Sequence, residues 1–298
     1  MGRSAFSGRI EILAAIVLAG SIGPLGSARA QSGKAAGAER PRVGASRGST
    51  SSLATRPAAT PRRGAVEPGD DATFRPTVLI RRATSQGTGT IIASTSDQTL
   101  ILTAAHVVRD EGPITVELHR FNIGLERTTG GAWPLLVRAE VAASDAAADL
   151  AVLRMREHSP LPFVAKLYEG DPGDLRPDTL VTSLGIDLGA RLSSWNTKVV
   201  ETTRLQLEGE EQARPFLVTL KTPEHGRSGG GLFVEGGRLV GVCVGHAELI
   251  EGRRMGVFAS IASIRRLLHE HDLDALMVRP QANAAPRTDR GPSLPASF

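Results

Sequence analysis

The stretch Gly226-Arg227-Ser228-Gly229-Gly230 runs directly into Gly231-Leu232-Phe233-Val234 and, past a Gly236-Gly237 turn, into Leu239-Val240-Gly241-Val242-Cys243-Val244. A serine set among glycines has a backbone that can turn sharply and leaves space for a carbonyl to approach. Runs of β-formers on both sides, Phe216 to Leu220 before it and Gly231 to Val234 after it, frame a strand-loop-strand. A phosphate-binding loop would lead into a helix instead.

Outward from this loop the same texture persists. Thr77 to Ile80, Gly89 to Ser94, Thr99 to Thr103, Ile114 to Leu118, Leu135 to Val141 and Leu150 to Met155 are short runs of β-formers punctuated by Gly or Pro. So are Thr179 to Leu184 and Thr197 to Thr203. Many short strands at this spacing predict an all-β barrel or sandwich architecture. One helix is expected, Ile261 to His269, where Ile261, Ile264, Leu267 and Leu268 fall at helical spacing. The turn-rich segment from Arg156 to Pro177 divides the strands into two halves.

The 298 residues suffice for one large domain or two small ones. Aromatic residues make up only 4 %, so the core has to be aliphatic. The single cysteine, Cys243, excludes an internal disulfide and any cysteine-based metal cluster. A net charge of +4 with much of the arginine in low-complexity segments gives no reason to expect nucleic acid as a partner. Arg3 and Arg9 precede the apolar run Ile10 to Gly20, and Ala28-Arg29-Ala30 is a small-x-small cleavage pattern, so residues 1–30 read as an export leader cut near Ala30/Gln31. The run is too short to span a bilayer, and no stable membrane insertion is expected once the leader is removed. Residues 31–72 and 273–298 have compositions that cannot bury enough surface to offset chain entropy, and read as a disordered linker and tail.

Hydrolysis of an amide by a hydroxyl requires a nucleophile, a base, a carboxylate that orients the base, and donors for the oxyanion. Ser228 is the candidate nucleophile. His106 ends the apolar run Leu100-Ile101-Leu102-Thr103-Ala104-Ala105, and Asp149 opens Leu150-Ala151-Val152-Leu153. Taken singly, each has an ordinary structural reading: a histidine beside a core, a strand-start aspartate, a glycine turn. Together, Thr103-Ala104-Ala105-His106, Asp149-Leu150-Ala151-Val152-Leu153 and Gly226-Arg227-Ser228-Gly229-Gly230 resemble the three signatures of trypsin-like serine peptidases, in that family's order His, Asp, Ser. Gly87-Thr88-Gly89-Thr90-Ile91, Gly237-Arg238-Leu239-Val240-Gly241-Val242 and Gly256-Val257-Phe258-Ala259 extend the resemblance over roughly residues 75–270. With no paired cysteines, the chain is more similar to the bacterial HtrA-type branch than to the digestive enzymes, and no PDZ domain is expected after the helix.

The resemblance implies two six-stranded antiparallel β-barrels with a C-terminal helix. The peptidase domain would cover 73–272, with barrel 1 at about 73–160, barrel 2 at about 175–260 and the helix at 261–269. It implies His106, Asp149 and Ser228 as catalytic residues, the amides of Gly226 and Ser228 as the oxyanion hole, and Thr222, Val244, Gly245 and Gly256 around the first substrate pocket. Thr222 at its base, with no acid lining it, points to small or medium apolar side chains. The implied partners are polypeptide substrates, with no cofactor and no metal; the oligomeric state is open. One residue departs from the pattern: Arg227 stands where the family usually has Asp or Asn. In the digestive enzymes that Asp receives the ammonium freed by zymogen cleavage, which a guanidinium would repel. Arg227 is therefore expected to face solvent or to pair with a carboxylate such as Glu224. Two function classes follow: an exported serine endopeptidase, or a catalytically inactive peptide-binding module on the same fold. Cys243 is expected to be a buried, inert thiol, and His269-Glu270-His271 a solvated helix end rather than a metal site.

Overall fold

The computed structural model describes residues 16–18, 71–125, 132–156, 159–248 and 253–278. The expected leader apart from Ile16–Leu18, the linker to residue 70 and the tail from 279 lie outside the described residues. Strands β2 (Thr77–Arg82), β3 (Ser85–Ser94), β4 (Thr99–Ala104), β5 (Ile114–Leu118), β6 (Leu135–Asp145) and β7 (Leu150–Met155) form a closed antiparallel barrel in the order β2-β3-β4-β7-β6-β5. It closes where Leu79 of β2 faces Glu117 of β5.

A second set follows the turn-rich segment, which itself supplies β8 (Lys166–Leu167). The set comprises β9 (Leu180–Asp187), β10 (Arg191–Leu205), β11 (Arg214–Thr219), β12 (Gly231–Val234), β13 (Arg238–Glu248) and β14 (Arg254–Ser260). The pairing runs β13-β12-β9-β10-β11-β14, and β14 pairs back onto β13, so this circuit closes as well. β8 joins β13 in parallel, and β1 (Ile16–Leu18) lies antiparallel on β13 with Leu18 opposite Gly245.

The two-residue period of a strand explains why Leu100–Leu102 of β4 and Leu150–Leu153 of β7 are continuously apolar rather than alternating. Ile101 and Leu153 point into the first barrel's core with Val78, Ile80 and Ile91. Their neighbours Leu100, Leu102, Leu150 and Val152 point the other way, into a larger core shared with Phe216, Phe233 and Phe258 of the second barrel. Both faces are buried, so both must be apolar. The two barrels are thus welded by one face of β4 and β7, the strands that lead to His106 and away from Asp149.

Helix α1 (Ile261–Glu270) buries the expected Ile261, Ile264, Leu267 and Leu268. Chain packing continues past it: Leu273 is buried, and Leu276 of α2 (Ala275–Val278) rests on the shared core. β14 was not among the expected strands. Its Gly256-Val257-Phe258-Ala259 core is buried, but it is too short and too close to the helix to stand out by pattern. No helix among the described residues is long and apolar enough to cross a membrane.

Candidate active site

β4 ends in a 3-10 helix, Ala105–Val108, that carries His106; a second, Ala146–Ala148, follows β6 and delivers Asp149. Asp149 has φ 50 and ψ 46, a left-handed conformation that aspartate tolerates better than most side chains but that still costs energy. The surroundings hold it there. Its amide donates to the Ala146 carbonyl at 3.0 Å, and its own carbonyl accepts the Ala105 amide at 3.0 Å. Its carboxylate then meets His106 twice: Oδ1 accepts the His106 backbone amide at 2.8 Å, and Oδ2 lies 2.6 Å from His106 Nδ1.

The carboxylate is 1 % exposed, a burial that is costly unless its lone pairs are used. With Nδ1 engaged, Nε2 becomes the free end of the imidazole. Among the described residues it has no partner, and neither does Ser228 Oγ; both atoms are buried.

The loop bearing Ser228 is fastened to the first barrel through Thr88. The Thr88 amide donates to the Ser228 carbonyl at 2.7 Å, its hydroxyl donates to the Gly226 carbonyl at 2.8 Å, and the same hydroxyl accepts the Ile186 amide at 2.8 Å. Gly87 permits this approach: a Cβ there would stand 2.5 Å from Val107 Cγ2 and 2.8 Å from the Ser228 carbonyl oxygen. The Gly87-Thr88-Gly89 segment therefore brings the turn carrying His106 against the serine loop. Thr88 had been noted only as part of a matching motif, and its bridging role has no signal in a single sequence.

Gly226 sits at φ +89, and a Cβ would lie 2.7 Å from both the Ile186 carbonyl oxygen and the Leu188 nitrogen. Neither the Gly226 nor the Ser228 amide donates a hydrogen bond among the described residues.

Arg227 does not face solvent; it pairs with a carboxylate, the second of the two expectations, but that carboxylate is not Glu224. It is 0 % exposed, and its partner is Asp187, at the end of β9: Nε–Oδ1 3.0 Å and Nη2–Oδ2 2.8 Å. Glu224 offers only its backbone carbonyl, to the Arg227 amide at 3.2 Å. The reason is geometric. The β9–β10 hairpin lies beside the loop and presents a carboxylate, the Ser183 carbonyl and a tryptophan face, a fork-shaped site that suits guanidinium better than Glu224 on the loop itself.

Of the residues expected around a substrate pocket, Gly245 and Gly256 lie at neighbouring positions of the paired strands β13 and β14, and Thr222 follows Lys221, whose carbonyl packs on Gly256. Thr222 Oγ1 donates to the Arg254 carbonyl at 3.0 Å, beside an exposed Arg254–Glu248 ion pair of 2.9 Å. Val244 occupies a β-bulge between Cys243 and Gly245, and its side chain is fully buried in the shared core, so it can offer a pocket only its backbone. A Cβ on Gly256 would lie 2.6 Å from both the Lys221 carbonyl oxygen and Thr219 Oγ1; close packing of β14 on β11 requires this glycine.

His225 lends its carbonyl to the Leu188 amide at 2.7 Å. Burial, reinforced by Arg254, holds His246 below the ordinary histidine value of 6.5. Cys243 is fully buried, and burial pushes its thiol up to about 12, as expected of an inert cysteine. His269 is exposed and paired with Asp274 at 3.0 Å; among the described residues no cluster could hold a metal ion.

Two closed six-stranded barrels sharing a core, with few helices, define the chymotrypsin-like fold. The family model of the trypsin-like peptidase domain matches residues 87–242, more than half of the chain, and the chain belongs to that family. It is similar to the inactive form of a serine-to-alanine mutant of Rv3671c from M. tuberculosis H37Rv (TM-score 0.53, 23 % identity, 69 % of this chain and 90 % of that one). The active form of the Rv3671c protease from M. tuberculosis is similar at TM-score 0.53 and 22 % identity, over 73 % of this chain and 93 % of that one. At such identities the likeness concerns the fold. No curated protein matches the chain.

Proposed function

We propose that this chain is an exported serine endopeptidase that cleaves polypeptides through an acyl-enzyme on Ser228. His106 Nε2 takes the Ser228 proton as general base and returns it to the leaving amine as general acid. Asp149 sets the tautomer with Nδ1 protonated and stabilises the imidazolium that forms. The amides of Gly226 and Ser228 stabilise the tetrahedral oxyanion. The carrying observation is the doubly bonded, buried Asp149–His106 contact, which leaves Nε2 as the free ring nitrogen beside the loop whose serine hydroxyl and two amides are also unengaged.

An extended substrate would add as a strand along the edge of β13 near Gly245, where β1 pairs in the same antiparallel sense. The first pocket, near Thr222, would accept small or medium apolar side chains, with walls at Val244, Gly245 and Gly256. Export rests on the leader-like composition of residues 1–30.

A fluorophosphonate probe tests the assignment. The expected result is labelling of the wild type and none of Ser228→Ala or His106→Ala, both of which should lose at least about 10³-fold in kcat. A folded wild type that resists labelling would leave the peptide-binding module as the better description.

A further inference from the structure

Arg227 lies between the two amides assigned to the oxyanion, and its whole side chain is buried. Beyond the bidentate pair with Asp187, Nη1 donates to the Ser183 carbonyl at 3.1 Å and to Ser183 Oγ at 3.3 Å. Ser193 Oγ accepts from Nη2 and donates to Asp187 Oδ2. The Trp195 ring lies 5.0 Å from the guanidinium carbon. Both strands of one hairpin, β9 and β10, thus grip the residue that separates Gly226 from Ser228.

The same hairpin holds the loop backbone as well. The Leu188 amide donates to the His225 carbonyl, and Gly226 packs directly on Ile186 and Leu188. A buried cation is expensive, and an apolar side chain could fill the same volume at less cost. What a bidentate, five-donor clamp adds is direction.

We propose that Asp187 is a positioning residue: through Arg227 it holds the Gly226–Ser228 loop in the shape that leaves both amides free, so the chain is competent on folding, without a newly cut amino terminus. The proposal rests on the serine-peptidase reading above. In the digestive enzymes the loop carries the acid and the cation arrives on cleavage; here the loop carries the cation, and the acid stands at the end of β9.

The test uses the exported chain and a chromogenic peptide, with a peptide aldehyde as the tetrahedral-adduct probe. Asp187→Asn keeps the shape and removes the charge. It should lower kcat about 10²-fold, weaken the aldehyde to a similar degree and leave KM within about twofold.

Asp187→Asn combined with Arg227→Gln removes the stranded cation as well. Thermal stability should recover in this double variant while kcat stays low. Recovery of kcat along with stability would overturn the proposal, as would an Asp187→Asn protein of unchanged kcat, or wild-type activity that appears only after cleavage ahead of residue 75. A wild type that neither turns over nor labels would instead remove the peptidase reading itself.

Discussion

At the scale of single residues, the site depends on what each buried polar atom is given to bind. Both carboxylate oxygens of Asp149 are engaged by His106 and its carbonyl accepts the Ala105 amide, whereas His106 Nε2 and Ser228 Oγ are left without partners among the described residues. Other buried side-chain atoms among the described residues also lack partners, so it is the pairing of His106 with Asp149, rather than the lack of partners alone, on which the proposed substrate contact rests. Cys243 is the opposite case. It lies close enough to feel the charges of Arg227, Asp149 and Asp187, yet burial dominates and raises its thiol to about 12. At pH 8 the folded protein should therefore not react with Ellman's reagent, and denaturant should release the full single equivalent at once. Rapid reaction of the native chain would show that Cys243 is accessible. The proposed roles of His106, Asp149 and Ser228 come from the sequence, through the chemistry that amide hydrolysis needs; the left-handed backbone of Asp149 was not legible there, since nothing near it forbids an ordinary strand start.

At the scale of elements, most strands were legible from their β-former runs; Ile114–Leu118, Leu150–Met155 and Gly231–Val234 coincide with the expected bounds. β10 was read short, from Thr197 to Thr203, because its first half, Arg191 to Asn196, is polar. That half is held by pairing with β9 across a turn in which Leu188 and Gly189 both have positive φ. It is also the half that carries Ser193 and Trp195. The hairpin and the serine loop pack without slack at Gly226, so Gly226→Ala should force one of them to move. The added methyl and the strain at φ +89 should cost about 1–3 kcal/mol of stability. Loss of one aligned oxyanion donor should lower kcat about 10²-fold or more. Denaturant titration and steady-state kinetics on a peptide substrate would measure both; retention of full kcat would mean that the loop tolerates displacement.

At the scale of the whole molecule, the proposed action of His106 on Ser228 requires the two barrels to keep a fixed relation. Besides the Thr88 hydrogen bonds, two devices maintain it. One is the shared core beneath Leu100, Leu102, Leu150 and Val152. The other is Asp145, at the end of β6 in the first barrel, whose Oδ2 accepts from Arg214 Nε of β11 at 3.3 Å and from Arg266 Nη2 of α1. Asp145→Ala strips both arginines of their shared acceptor in a half-buried seam. It should cost about 2 kcal/mol and lower Tm by roughly 4–8 °C in calorimetry, with a smaller loss of activity than any change at His106. An unchanged Tm would assign the seam to apolar packing alone.

The sequence by itself determined the all-β architecture, the division into two halves and the helix that begins at Ile261, and it supplied His106, Asp149 and Ser228 as candidates in that order. All of these are local patterns: β-former runs, helical spacing, glycines around a serine. It did not determine the partner of Arg227. Glu224 is near along the chain, but Asp187 is nearer in space, because folding the β9–β10 hairpin against the loop brings a carboxylate 40 residues away into bidentate contact. Likewise, only the tertiary structure decided that the Val244 side chain lies in the core and leaves its backbone alone to face a pocket. A strand's pattern records that a side chain is apolar, and which face of a closed barrel buries it depends on a bulge set by pairing with β14.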